Sequence, residues 1–315
     1  MLISLTLVVL GGLAAAVAPR VMARRSWPDR EPVLALWVWQ CVVVAVLLCC
    51  VLAMLLSAAA AWEGVRAQLF APAPEGVIDA YALHPEGPWW ATALTLLLAA
   101  GGLWTGVMFL KEVREARGRR RRRREGLLAR SPRLPGEETR PGDRLVVLED
   151  DRPDAWLLPG SGAQLVITTA ALRRLSSRQL DAVIAHEQGH ARARHDWLLR
   201  CSGALASGFP RVPVFAAFRR EVHRLVELAA DDAASRRFGR LTTALALVGL
   251  NEERGVFGVR ATRRDAQVPL RVHRLLGPAR RLSPLRRLRL TAAAALVPAV
   301  PVLVAFAPGL SVLSR

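Results

Sequence analysis

Four long runs without a charged side chain, at 1–19, 32–62, 87–110 and 291–313, constrain this chain more than any other feature. Each is close to or above the roughly 20 apolar residues that a helix needs to cross a bilayer. In hydrocarbon every backbone N–H and C=O must be satisfied within the segment, so each run is expected to be a membrane-spanning helix. The spans are placed at about 1–19, 34–58, 89–110 and 291–313, giving 1–110 as a three-helix membrane region and a fourth helix near the end. No basic residue precedes the first run, and Arg20, Arg24 and Arg25 follow it directly. That pattern favours a retained anchor over a cleaved signal peptide.

Charge then decides orientation. Segments 20–30 and 111–130 are rich in arginine, the second with an unbroken run from Arg119 to Arg124, and basic loops stay on the cytoplasmic side. The loop between the second and third spans carries Glu63, Glu75, Asp79 and Glu86 against Arg66 alone, which suits the outer side. All three loops agree on both termini outside and the large polar segment inside. Trp37, Trp39, Trp62, Trp89 and Trp90 fall near span ends, where interfacial Trp residues collect.

A net charge of +18 raises nucleic acid as a partner. The Arg119 to Arg124 run lies just inside the membrane, however, where each basic residue adds on the order of 1 kcal/mol of attraction to anionic lipid. The expected partners are therefore the bilayer and its anionic headgroups, and nucleic acid is not expected. Cys41, Cys49 and Cys50 lie inside the second span and Cys201 stands alone, so no disulfide framework or Cys-rich zinc site is implied.

The polar segment begins with an Arg-rich linker, 111–143, whose later part is dense in Pro, Gly and charge. Three β-like stretches follow at 144–148, 155–158 and 164–168, separated by Asp-Arg-Pro-Asp and Pro-Gly-Ser-Gly turns. From Leu172 to about Leu199 the pattern is helical, and Ser176-Ser-Arg-Gln179 has the form of a capping box. Within it stands Ala185-His-Glu-Gln-Gly-His190, which reads H-E-x-x-H. Residues four apart share a helix face, so His186 and His190 can reach one metal ion, and Glu187 can address a water rather than the metal. Two imidazoles, a third ligand and a carboxylate base are the parts that zinc-assisted amide hydrolysis needs. One Zn²⁺ is the expected cofactor.

Residues 201–218 are apolar but broken by Gly203, Gly208, Pro210 and Pro213, and are read as a membrane-proximal connection. A second helix is expected over about 214–238, closed by Gly239. It carries Glu227 and, one turn later, Asp231. In a gluzincin-type site the third ligand is a Glu from a later helix, with an acid one turn on that holds a ligating His by its other ring nitrogen. His223 precedes Glu227 by one turn and is the alternative ligand on that helix. His195 is read as a surface histidine or a substrate contact.

These residues carry a resemblance. Val166-Ile-Thr-Thr169, the run from Ser176 to His190, Arg194-His-Asp-Trp197, Phe209-Pro210 and Glu227-Leu-Ala-Ala-Asp231 resemble, in order, the core of the integral-membrane zinc metallopeptidases that include the BlaR/MecR antirepressors. The resemblance implies His186, His190 and Glu227 as metal ligands, Glu187 as general base and Asp231 behind the ligands. Arg271 resembles a late Arg of related peptidases that steadies the site or the tetrahedral intermediate. It further implies a multi-span α-helical membrane protein with a cytoplasmic α+β zincin-like domain over 144–290, cutting a cytoplasmic protein such as a transcriptional repressor. The resemblance does not extend, up to Arg315, to the extracellular penicillin-binding domain of the sensor type, so direct β-lactam sensing is not expected. An HtpX-like protease of damaged membrane proteins shares the same expected site, and a non-catalytic signalling or DNA-tethering protein is the reading from another class.

Overall fold

A computed structural model describes residues 2–74, 76–81, 89–130, 145–158, 164–251, 267–278 and 281–313. The chain divides into two compact units: 1–111 with 201–221 and 282–315, and 112–200 with 222–281. The expected turn at 159–162, the later linker 131–143 and the acids Glu75 and Glu86 lie outside the described residues.

The first unit is helical. Helices α1 (Leu2–Ala23) and α2 (Pro32–Ala61) are followed by the short α3 (Glu63–Leu69) and α4 (Val77–Ala80), then by α5 (Trp89–Arg130). α1, α2 and the apolar part of α5 are long and apolar enough to cross a membrane. Leu97 and Leu103 of α5 stand 68% and 74% exposed, a surface that fits lipid rather than water. The chain is membrane-associated through these helices.

Three expectations change here. The segment expected to be the fourth span is a bent pair, α12 (Pro284–Leu296) and α13 (Ala299–Leu313), meeting at 47°. Pro298 sits at the break, where it donates no N–H and crowds the preceding turn. Glu31, buried at the start of α2, accepts from the Leu282 N–H at 3.3 Å and lies 3.5 Å from Arg287 Nε, tying the basic end of α12 to α2. Trp39 is not interfacial: it is 2% exposed, with its ring 6.3 Å from that of Phe218. Finally, 111–130 is helix rather than linker, because α5 continues without a proline and Glu115 pairs with Arg119 one turn on at 3.2 Å. The Arg119 to Arg124 run therefore lies on a helix backbone.

The connection 201–218 also proves more regular than its composition. It is built from the end of α8 (His195–Gly208) and the start of α9 (Pro213–Phe238). The Trp104 indole N–H donates to the Gly208 carbonyl at 2.9 Å, satisfying a C-terminal carbonyl of α8.

The second unit contains β1 (Leu145–Leu148), β2 (Ala155–Leu158) and β3 (Gln164–Thr168), within a residue of the expected stretches. The order is β1-β3-β2, with β1 parallel and β2 antiparallel to β3. Alternation along β3 sends Val166 to one face, with Leu148 and Trp156, and Ile167 to the other. The Ile167 face packs on α6 (Thr169–Arg174), α7 (Ser177–Arg192) and α10 (Arg240–Asn251) through Ala171, Leu175, Ala182, Val183 and Ala246. α11 (Gln267–Leu276) completes the unit. The helical pattern from Leu172 to about Leu199 is three pieces, with α7 starting at the expected capping box. Ser176 begins a new N-terminus, and Arg194 leaves the helical region at φ 51°.

Candidate metal centre

The start of α7 is fixed by a reciprocal cap: the Ser176 hydroxyl accepts from the Gln179 N–H at 3.4 Å, and the Ser176 N–H donates to Gln179 Oε1 at 2.9 Å. Burial of Ala182, Val183 and Ala185 then sets the rotation of the helix. With phase and start both determined, His186 and His190 share the neighbouring face.

Their Nε2 atoms are 3.2 Å apart. Glu227 of α9 joins them, with Oε2 at 3.7 Å from His186 Nε2 and Oε1 at 3.5 Å from His190 Nε2. Ligands about 2.05 Å from a tetrahedral zinc ion stand about 3.3 Å from one another. The observed spacings, with all three ligand atoms within 4.8 Å, fit such an ion. Two imidazoles and a carboxylate also form a donor set that leaves the fourth zinc position to water or substrate.

The remaining ring nitrogens are engaged as well. His186 Nδ1 lies 3.1 Å from Asp231 Oδ1, and His190 Nδ1 lies 3.0 Å from His195 Nδ1. Asp231 is 1% exposed and shares its carboxylate with Arg271 of α11, whose Nε donates to Oδ2 at 2.8 Å and whose Nη2 donates to Oδ1 at 2.7 Å. The third guanidinium nitrogen reaches Glu227 Oε2 at 2.8 Å. One planar cation thus bridges the carboxylate that faces both imidazoles and the carboxylate behind His186. α11 is itself held by Arg274 to Asp232 at 2.8 Å, and by Arg240, which donates to the carbonyls of Arg274, Leu275 and Gly277 at its C-terminal end.

The charges follow from these contacts. Burial alone would raise both carboxyls, but for Glu227 the His186 hydrogen bond and Arg271 outweigh it and hold the group down at about 2. Asp231 lies below the usual carboxylate range because Arg271 and His186 overcome its burial. For His186, burial is opposed by Asp231 and Glu227, which together raise it to about 9. His190 is lowered to about 4 by burial and by the His186 cation. Without metal at pH 7, a protonated His186 and Arg271 thus balance Glu227 and Asp231.

A metal ion held by His186 would displace its proton, and the sign is fixed: a group raised to about 9 is protonated below that pH. Apparent zinc affinity is expected to rise about tenfold per pH unit between about 4 and about 9 and to level off above, read by competition with a chromophoric chelator.

Gly189 explains why Glu227 can reach. A Cβ there would meet Ala233 Cβ at 3.3 Å and Ala230 Cα at 3.4 Å, so its absence lets α7 and α9 approach closely. Gly189→Leu is expected to push the helices apart, lowering stability by about 1–3 kcal/mol and reducing bound zinc. Melting midpoint and metal content measure the two effects, and Gly189→Ala should show a smaller version of both.

Glu187, beside His186, is half-buried, and its charge is among those that raise Arg271. His223 is exposed and outside the three-ligand group. His195 is not a surface residue: it is 4% exposed and lies behind His190. Arg271, a late arginine in the sequence, sits at the centre of the carboxylate pair. The resemblance offers it as a residue that steadies the site, whereas the local pattern of α11 does not say which residues that helix touches.

Residues 120–209 match the model of peptidase family M48. The match and the His-His-Glu group mark a metallopeptidase site. The matched segment contains His186, Glu187, His190 and His195; Glu227, Asp231 and Arg271 lie beyond it. These later residues enter the metallopeptidase site through the fold of α9 and α11. Comparison with curated proteins and with solved structures returns no match.

Proposed function

We propose that this chain is a membrane-anchored, zinc-dependent endopeptidase that cuts a protein on the cytoplasmic side. The observation that carries the reading is the convergence of His186 Nε2, His190 Nε2 and the Glu227 carboxylate at zinc-ligand spacing, next to a carboxylate that is not a ligand. When bound, one zinc ion supplies a Lewis acid that makes water nucleophilic near neutral pH and polarises a carbonyl. Glu187 takes the proton from the attacking water and returns it to the leaving amine nitrogen. Asp231 accepts from His186 Nδ1 and keeps its Nε2 free of a proton. Arg271 keeps Glu227 and Asp231 ionised and in place.

The orientation rests on the arginine-rich segments, which put both termini outside and the peptidase unit inside. Anionic headgroups then meet the Arg119 to Arg124 run. Two substrate classes are consistent with such a site. The residue pattern from Val166 to Asp231 supports cleavage of a repressor or similar cytosolic regulator, as in the BlaR/MecR type. The family match is to peptidase family M48 and carries no antirepressor signature, which keeps the broader HtpX-like removal of membrane proteins as the second reading.

A comparison of protein termini in cells expressing wild type and Glu187→Gln at equal levels separates them. One or two new cytosolic termini, absent from the variant, would identify a regulator. Many among membrane proteins would indicate quality control, and identical termini in cells whose wild-type protein carries zinc would sink the endopeptidase reading.

A further inference from the structure

Five residues separate His190 from His195, and on an unbroken helix positions five apart point about 140° away from each other. The chain instead ends α7 at Arg192, turns through Ala193 and Arg194, and starts α8 at His195. Arg194 makes that turn at φ 51°, the one positive φ among the described non-glycine residues. A Cβ in this region crowds the following carbonyl, so the conformation persists only where the surroundings impose it. Its consequence is that His195 comes back beneath His190. Their Nδ1 atoms are 3.0 Å apart, the rings meet edge to face with centroids 4.9 Å apart, and His195 is 4% exposed.

We propose that His195 is a positioning residue that accepts the Nδ1–H of His190 and so fixes the His190 Nε2 lone pair on the metal. The inference rests on the zinc reading above. The Nε2 of His190 faces His186 Nε2 and Glu227, so its proton belongs on Nδ1 when the ion is held. The atom that meets this proton is His195 Nδ1, which must then be unprotonated, with the His195 proton on its own Nε2. Each ligand imidazole thereby has its own acceptor. For His186 it is Asp231, brought by a later helix, and for His190 it is a near neighbour in sequence, brought back by a strained turn. A neutral acceptor in the second place adds orientation without a further buried anion.

The test is zinc competition against a chromophoric chelator, using the full chain in detergent, for wild type and for His195→Asn, His195→Gln and His195→Phe. Asn carries its Oδ1 where His carries Nδ1, whereas Gln carries its carbonyl farther out, where Nε2 stood. Phe and Gln are expected to bind zinc about 10–100-fold more weakly, and Asn to stay within about 3-fold of wild type. The visible spectrum of the cobalt-loaded protein should be preserved in Asn and altered in Gln.

Equal zinc affinity in Gln and wild type would overturn the proposal, as would an Asn variant as weak as Gln, since shape rather than an acceptor at Nδ1 would then be what matters. Should the Phe variant fail to fold, the Asn and Gln pair decides alone. A wild type that binds no zinc overturns the metal reading itself, and this inference with it.

Discussion

Glu187→Gln is expected to lower hydrolysis of a labelled, unfolded casein by at least about 10²–10⁴-fold while the protein keeps its zinc. The amide has nearly the shape of the carboxylate, so helix α7 and the three ligand positions should be undisturbed; what disappears is the proton acceptor beside the water. Metal analysis of the variant is the decisive companion measurement. Lost activity with retained zinc assigns the base to Glu187. Lost activity with lost zinc would mean that Glu187 acts on the metal site instead, and full activity would remove it from the chemistry.

Arg271→Leu should give the largest effect on stability. Arg271 makes two hydrogen bonds to Asp231 and a third contact to Glu227, and its side chain is 11% exposed, so removing it leaves the buried Asp231 and the half-buried Glu227 with His186 as the cation beside both. Breaking a buried ion pair from one side costs about 3–5 kcal/mol. The loss is expected to shrink when zinc is added, because the ion supplies part of the missing positive charge.

The pH dependence has a definite sign. In the wild type, Glu227 lies at about 2 against an ordinary 4.5, so its contribution to stability is complete above about 4.5 and is lost as pH falls toward about 2. In Arg271→Leu that loss should begin at higher pH, since the His186 contact is then left to offset burial without the guanidinium. Melting curves across pH, with and without zinc, measure both effects. A variant as stable as wild type at every pH would show that the guanidinium is dispensable to the carboxylate pair.

What could be read from the sequence depended on the range of the interaction. Ser176 and Gln179 cap α7 within one turn, the spacing of His186 and His190 follows from the helical period, and Glu227 and Asp231 share a face for the same reason. The three strands were legible because alternation and turn residues are also local. The continuation of α5 past Lys111 is not marked by the apolar run, which ends where the charges begin, although charged residues form helix well when no proline intervenes. Trp39 was misplaced because an indole near a span end looks the same whether it faces headgroups or packs on Phe218.

By itself, then, the sequence determined the apolar helices, the short sheet and the pairs of residues that share a helix face, each through contacts within a few residues. Tertiary structure decided which of those faces meet. It closed α7 on α9 at Gly189, carried Glu227 to the two imidazoles, brought Arg271 from forty residues beyond Asp231 into the carboxylate pair and turned His195 back beneath His190. Periodicity carries no record of such meetings, because a helix repeats the same face pattern whichever partner it packs against. The partner is chosen by burial and charge neutralisation over the whole unit.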